Sequence, residues 1–163
     1  MVSHSTDLSH LPYRQNVGLV IINKEGLVFG GQRFDTTGAW QMPQGGIDEG
    51  EDIHSAVYRE LKEETGLLKE HANILQIAPK QVTYEFPPHL RKKLFQEKYR
   101  GQSQTWVALE FLGEDKDIDI NADETPEFKK WQWFSFGELL RYIVPFKRDV
   151  YLEVQEFFKD HLK

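Results

Sequence analysis

The 163-residue chain contains no cysteine, which excludes disulfides, thiolate metal sites and a cysteine nucleophile. No apolar run approaches a membrane span, and the polar start from Met1 to Pro12 lacks the apolar core of a signal peptide. These absences suit a reducing, aqueous compartment, so the expectation is a cytoplasmic protein with no membrane partner. Positive charge is not in surplus either: the formal net charge is −6. That argues against long-range attraction to DNA or another polyanion, but it does not bear on a local pocket. Cations do cluster at Arg91-Lys92-Lys93, at Lys98 and Arg100, and at Lys147-Arg148. No repeat, low-complexity tract or linker divides the chain. The expectation is a flexible segment over 1–12 and one domain over 13–163, large enough to bury a real core.

What is present reads as alternating strands and helices. Residues 16–23 read as a buried strand ended by the turn Asn23-Lys24-Glu25-Gly26, and 27–33 pair with it as a hairpin. Residues 36–50, rich in Gly and Pro, read as loop with at most a short strand near Trp40. The clearest helix covers 52–65, with Asp52 at its start and Gly66 as its stop. A strand over 74–86 is interrupted at Pro79 and followed by a long excursion over 87–101. Strands over 105–112 and 128–134 and a short helix over 136–143 come next. A final amphipathic helix over 147–162 turns Val150, Val154, Phe157 and Phe158 toward the body. The order implies an α/β or α+β sandwich.

The informative feature is a helix with carboxylates on its apolar side. At 3.6 residues per turn, Ile53, Ala56, Val57 and Leu61 share one face. Continued by a turn, that face carries Glu60 and Glu64, with Glu63 beside them, while Lys62 points away. Inward carboxylates are costly unless something positive sits among them. Arg59 helps from the flank, and a hard divalent cation suits an all-oxygen set. Glycines at 45, 46 and 50 let loop backbone approach, so the Gly45 carbonyl is a further candidate ligand. The competing reading is an ordinary solvated helix face.

The same segment resembles the Nudix box: Gly, five residues, Glu, seven residues, then Arg-Glu-aliphatic-any-Glu-Glu-any-Gly-aliphatic. Gly45, Glu51, Arg59, Glu60, Leu61, Glu63, Glu64, Gly66 and Leu67 match every specified position. The resemblance implies a Nudix-type α/β/α sandwich with a mixed β-sheet. It also implies magnesium, or manganese or another divalent cation, held by Glu60, Glu63 and Glu64. One of these glutamates also positions or deprotonates water, with Glu60 and Glu63 the candidates. Arg59 orients a carboxylate, and Glu51 supports from outside.

Beyond the box, residues 13–151 look like the bacterial RNA pyrophosphohydrolase and dinucleoside polyphosphate hydrolase branch of this family. The stretches that match are Tyr13-Arg14-Gln15-Asn16-Val17-Gly18, Trp40-Gln41-Met42-Pro43-Gln44-Gly45-Gly46, Arg100-Gly101-Gln102-Ser103-Gln104-Thr105-Trp106, Pro126-Glu127-Phe128 and Phe146-Lys147-Arg148-Asp149-Val150-Tyr151. This likeness makes Glu127 a further metal ligand and Arg14 and Arg33 phosphate contacts. It makes Phe146 and Lys147 the receivers of a base and its neighbouring phosphate, and Gln102 a contact to the second nucleotide. Ser103 and Thr105 stand where lysines are frequent, a loss of positive charge near the polyphosphate. The implied reaction is removal of pyrophosphate from 5′-triphosphorylated RNA. Its alternatives are asymmetric cleavage of diadenosine tetraphosphate to ATP and AMP, and a non-catalytic domain that senses nucleotide. Oligomeric state is not legible.

Overall fold

The computed structural model of the chain describes residues 10–34, 38–90 and 98–163. At its centre two strands run parallel. Strand β1 (Tyr13–Ile22) and strand β7 (Gly101–Phe111) stay in register from Tyr13↔Gly101 to Ile22↔Glu110. Strands β5 (Ala72–Ile77) and β6 (Val82–Glu85) lie antiparallel to β7. The expected strand over 74–86 is therefore two strands, separated by 78–81.

On the other side of β1 the sheet forks. Strand β2 (Val28–Arg33) pairs with β1 at Ile22↔Val28, beside the hairpin turn. Farther along β1, that pairing edge is taken by β4 (Gln44–Gly46), from Asn16↔Gly46 to Gly18↔Gln44. Strand β2 meanwhile pairs with β3 (Trp40–Gln41) and with β8 (Phe128–Phe134). The Gly- and Pro-rich residues 36–50, expected to be loop with one short strand, thus contribute two. Strand β4 is hidden from hydropathy because Gln44-Gly45-Gly46 has no apolar side chain to alternate.

Alternation along the central strands makes two cores. Val17, Leu19, Ile21, Val107 and Leu109 pack against Ala56, Val57 and Leu61 of helix α1 (Ile53–Thr65). The opposite face carries Val20, Trp106 and Ala108. It packs under Leu139 of α2 (Phe136–Leu139) and under Val150, Val154 and Phe158 of α3 (Arg148–Phe158). This is the α/β/α sandwich with a mixed sheet. Phe157, expected inside, is only partly buried.

Helix α1 begins and ends where its sequence says. Asp52 accepts a hydrogen bond from the Ser55 backbone N at 2.7 Å, and Gly66 takes the left-handed conformation at φ 73° that stops a helix. Strand β7 starts four residues before the expected Thr105, because its polar residues 102–104 are hydrogen-bonded inside rather than solvated. A long-range contact ties α3 to the fork: the Met42 backbone N donates to the Tyr151 hydroxyl at 2.8 Å, 109 positions away. The basic run Arg91-Lys92-Lys93 and residues 1–9 of the expected N-terminal segment lie outside the described residues.

Candidate active site

The last turns of α1 point into the fork. Glu60 and Glu64 are 7% and 4% exposed, on the same side as Ala56, Val57 and Leu61, as the helical spacing requires. Glycine at 45 is a steric necessity, since a Cβ there would fall 2.0 Å from the Glu60 carboxyl carbon. The bare backbone of β4 therefore lies directly against that carboxylate. The Gln44 backbone N donates to Glu64 Oε2 at 3.0 Å, whereas Glu64 Oε1 is buried without a hydrogen-bond partner. Burial pushes the Glu64 carboxyl well above the usual range, reinforced by the charges of Glu60 and Glu127. Burial also raises Glu60, against the pull of Arg59. The solvated-face alternative does not describe these two side chains.

Arg59 does far more than help one carboxylate from the flank. Its Nε and Nη2 donate to the two oxygens of Glu51 at 2.7 and 2.8 Å. Its Nη1 donates to Glu60 at 2.7 Å and Glu63 at 3.3 Å, and Nη2 also reaches the Gly46 carbonyl at 2.8 Å. Bidentate contact with a guanidinium is the strong form of this interaction. It holds the Glu51 carboxyl down at about 2, and the arginine itself is pushed upward by its hydrogen bonds to Glu51. Glu51 is thus a brace for Arg59, and Arg59 in turn fixes two carboxylates from behind.

These groups open into a cavity of about 780 Å³. Every residue expected to hold metal or substrate lines it: Glu60, Glu63, Glu64, Glu127 and Gly45, together with Arg14, Arg33, Gln102, Phe146 and Lys147. Arg59 stands behind the wall rather than in it. Glu127 arrives on the loop before β8, and its charge is felt at Glu64.

The second wall is a relay of amides. Gln102 Oε1 accepts from Arg14 Nη1 at 3.1 Å and from Asn16 Nδ2 at 2.9 Å, while its Nε2 donates to the Tyr84 hydroxyl at 2.6 Å. Gln104 donates to Asn16 Oδ1 and Gln44 Oε1, at 2.9 and 3.1 Å. Gln41 Oε1 accepts from Lys147 Nζ at 3.1 Å and Arg33 Nη1 at 3.2 Å. Burial lowers the Arg14 guanidinium from its ordinary value and raises the Tyr84 phenol. The Phe146 ring leans on Tyr84, centroids 6.0 Å apart. Phe146 is therefore part of the cavity and not merely packing at the entry of α3.

Asn16, Gln41, Gln44, Tyr84, His89 and Asp123 also line the cavity, and none had been given a role. For Asn16, Gln41 and Gln104 there was a signal: buried amides inside apolar strands need partners, and partners cluster. Ser103 and Thr105 require the reverse correction. On β7 they alternate with Gln102 and Gln104 and so face the α1 side, where they bond to Gln81 at 2.9 and 3.4 Å. Lysines absent there are not absent from the cavity. Arg100, from the cation cluster noted in the sequence, pairs with Glu85 at 3.2 Å and stacks over Tyr13, and neither it nor Lys98 lines the cavity.

Comparison with known proteins places the chain among related sequences and folds. A family model described as the NUDIX domain matches residues 12–154. The RNA pyrophosphohydrolase of Erythrobacter litoralis (strain HTCC2594) is 49% identical over 161 residues, 98% of each chain. That of Cereibacter sphaeroides (strain KD131 / KCTC 12085) is 50% identical over 153 residues, 93% of this chain and 94% of the other. Among solved structures, the E. coli dihydroneopterin triphosphate pyrophosphohydrolase superposes with a TM-score of 0.71 at 22% identity. It covers 91% of this chain and 99% of its own. A C. elegans Ap4A hydrolase in a binary complex superposes at 0.63 with 20% identity, covering 89% and 98%. These two structures share the fold.

Proposed function

The chain belongs to the Nudix family, and from that membership we propose that it removes pyrophosphate from 5′-triphosphorylated RNA, leaving a 5′-monophosphate. One observation carries the reading: a single cavity joins the acidic end of α1 to a wall of arginines, a lysine and an aromatic ring. A phosphate chain with a base beside it needs both walls. The near-full-length identity to RNA pyrophosphohydrolases supports RNA as the bearer of that chain.

The acidic wall suits a divalent cation. Its donors are all oxygen, two of its carboxylates are buried against each other, and one carboxylate oxygen faces no donor. We assign Glu60, Glu63, Glu64 and Glu127, with the Gly45 carbonyl, to magnesium, manganese being the close chemical substitute. When bound, the metal neutralises charge gathering on the phosphate oxygens and orients water at the bond. Arg59 keeps Glu60 and Glu63 at fixed positions throughout. Glu63, with 43% of its side chain exposed against 9% for Glu60, is assigned to take the proton from water. Arg14, Arg33 and Lys147 bind non-bridging oxygens, Phe146 stacks on a base, and Gln102 meets the second nucleotide.

The deciding experiment is product analysis with magnesium across triphosphorylated RNA, diadenosine tetraphosphate and nucleoside triphosphates. Pyrophosphate released from RNA, with monophosphorylated RNA left behind, is the expected outcome. Inert RNA beside rapid conversion of diadenosine tetraphosphate to ATP and AMP replaces the reading with dinucleotide hydrolysis. Binding without turnover of any substrate replaces it with a nucleotide sensor.

A further inference from the structure

A second, open groove of about 570 Å³ shares no lining residue with the catalytic cavity, and the reaction proposed above does not use it. It is lined by residues 118–121, by residues 129–132 of β8 and by the partly buried indole of Trp40. Its charge is opposite in sign to that of the whole chain. Lys129 and Lys130 are exposed and enter no ion pair among the described residues. Asp119 is the one acid in the lining, and its Oδ1 accepts from the Asn121 backbone N at 2.9 Å. A chain of net charge −6 thus presents a locally positive strip here.

The groove adjoins the cavity at two strands. On β3, Gln41 lines the cavity and its neighbour Trp40 lines the groove; at β8, Glu127 lines the cavity and Lys129 the groove. Aromatic surface connects the two. The Trp40 backbone N donates to the Tyr142 carbonyl at 3.1 Å, and both rings pack on Phe134, with centroids 5.1 and 6.0 Å away. Tyr142 is 47% exposed and stands two residues before Val144, which lines the cavity with Pro145 and Phe146. We propose that this groove is a second binding site, which holds the single-stranded RNA chain downstream of its triphosphorylated end. Such a chain, with its first base on Phe146, finds rings at Tyr142 and Trp40 and cations for its phosphates at Lys129 and Lys130. Rings stack on any base and lysines meet any phosphate, so the site reads the polymer and not its sequence. The inference rests on the proposed function and deepens it, because a nucleoside triphosphate held wholly in the cavity has nothing to place here.

The test compares wild type with the double variant Lys129→Gln/Lys130→Gln and with Lys24→Gln/Lys80→Gln, which removes the same charge from exposed lysines outside the groove. Fluorescence anisotropy follows binding of a labelled 5′-hydroxyl RNA of about 20 nucleotides over a salt series, long enough to reach past the cavity. The groove variant should bind about tenfold more weakly, with a salt dependence shallower by about 0.7 per lost phosphate contact, or about 1.4 for the pair. The control variant should follow wild type. Steady-state kinetics adds a second readout: the KM advantage of a long triphosphorylated RNA over a triphosphorylated dinucleotide should shrink about tenfold in the groove variant alone. Unchanged RNA binding by the groove variant, or an equal loss in the control, overturns the inference and leaves the groove to another partner such as a polypeptide. If triphosphorylated RNA is not hydrolysed while the 5′-hydroxyl RNA still binds through Lys129 and Lys130, the proposed reaction fails and the groove stands. If RNA is hydrolysed with the same dependence on length in all three proteins, the groove fails and the reaction stands.

Discussion

The two walls of the cavity are built on opposite principles. The acidic wall is nearly contiguous in sequence: Gly45, Glu51, Arg59, Glu60, Glu63 and Glu64 lie within 20 residues, and only Glu127 comes from afar. The cationic wall draws Arg14, Arg33, Gln41, Gln102 and Lys147 from five separate segments. On the acidic side, charged groups are opposed by charged groups, with Arg59 wedged among carboxylates. On the cationic side, neutral amides do the ordering. The first arrangement packs carboxylates together with two of them buried; the second sets its cations against amide oxygens. The lesson is that one cavity can be locally specified on one side and globally assembled on the other.

The contrast yields an ordered set of expected outcomes. Replacing Glu60 by Gln should have the largest effect, lowering kcat/KM for triphosphorylated RNA by about a thousandfold or more, the scale of losing preorganised charge stabilisation. Arg59→Lys keeps the charge but loses the fork that grips Glu51, so kcat should fall about 10- to 100-fold, as for other residues that orient metal ligands. Phe146→Ala should act on binding instead, raising KM about tenfold with kcat little changed, as expected for one lost stacking contact. A steady-state series on the same RNA measures all three.

The acidic wall also predicts how metal-free stability follows pH. Glu51 is held at about 2, below its unfolded value, so its contribution is present above about 4.5 and lost as pH falls toward about 2. Glu64 is shifted the other way by burial, so the folded state binds its proton more tightly than the unfolded chain does. Its effect is a decline in stability as pH rises above the ordinary glutamate range. Urea unfolding across pH should show that decline in wild type and a flatter profile in Glu64→Gln. The smallest expected effect belongs to Thr105→Lys. Because this side chain faces α1's side of the sheet, KM for RNA should stay within about twofold. A large drop in KM would return Thr105 to the cationic wall.

Legibility followed the same divide. Helix α1 was readable to within one residue because periodicity, cap and stop agree over one local stretch, and its misplaced carboxylates exposed the acidic wall. Strand β8 was readable for a similar reason. Strand β4 was not, since three residues without apolar side chains carry no period. The start of β7 was missed because Gln102, Ser103 and Gln104 look solvated until their partners on β1, β4 and β6 are known. The cationic wall came only through resemblance, and Gln41's part in it needed coordinates: nothing near residue 41 announces a lysine 106 positions later. For Ser103 and Thr105, strand parity decided what a residue-by-residue comparison could not.

The bond from Met42 to Tyr151 bears on the order in which the protein is made. Synthesis runs from the N-terminus, so a nascent chain that has emerged through β8 already carries every carboxylate of the site. It still lacks Phe146, Lys147 and the phenol that receives the Met42 amide. Until the final helix clears the ribosome, the turn between β3 and β4 has no prop, and Arg33 and Gln41 await their lysine. The chain acquires its carboxylates early and the lysine and ring of the cavity last.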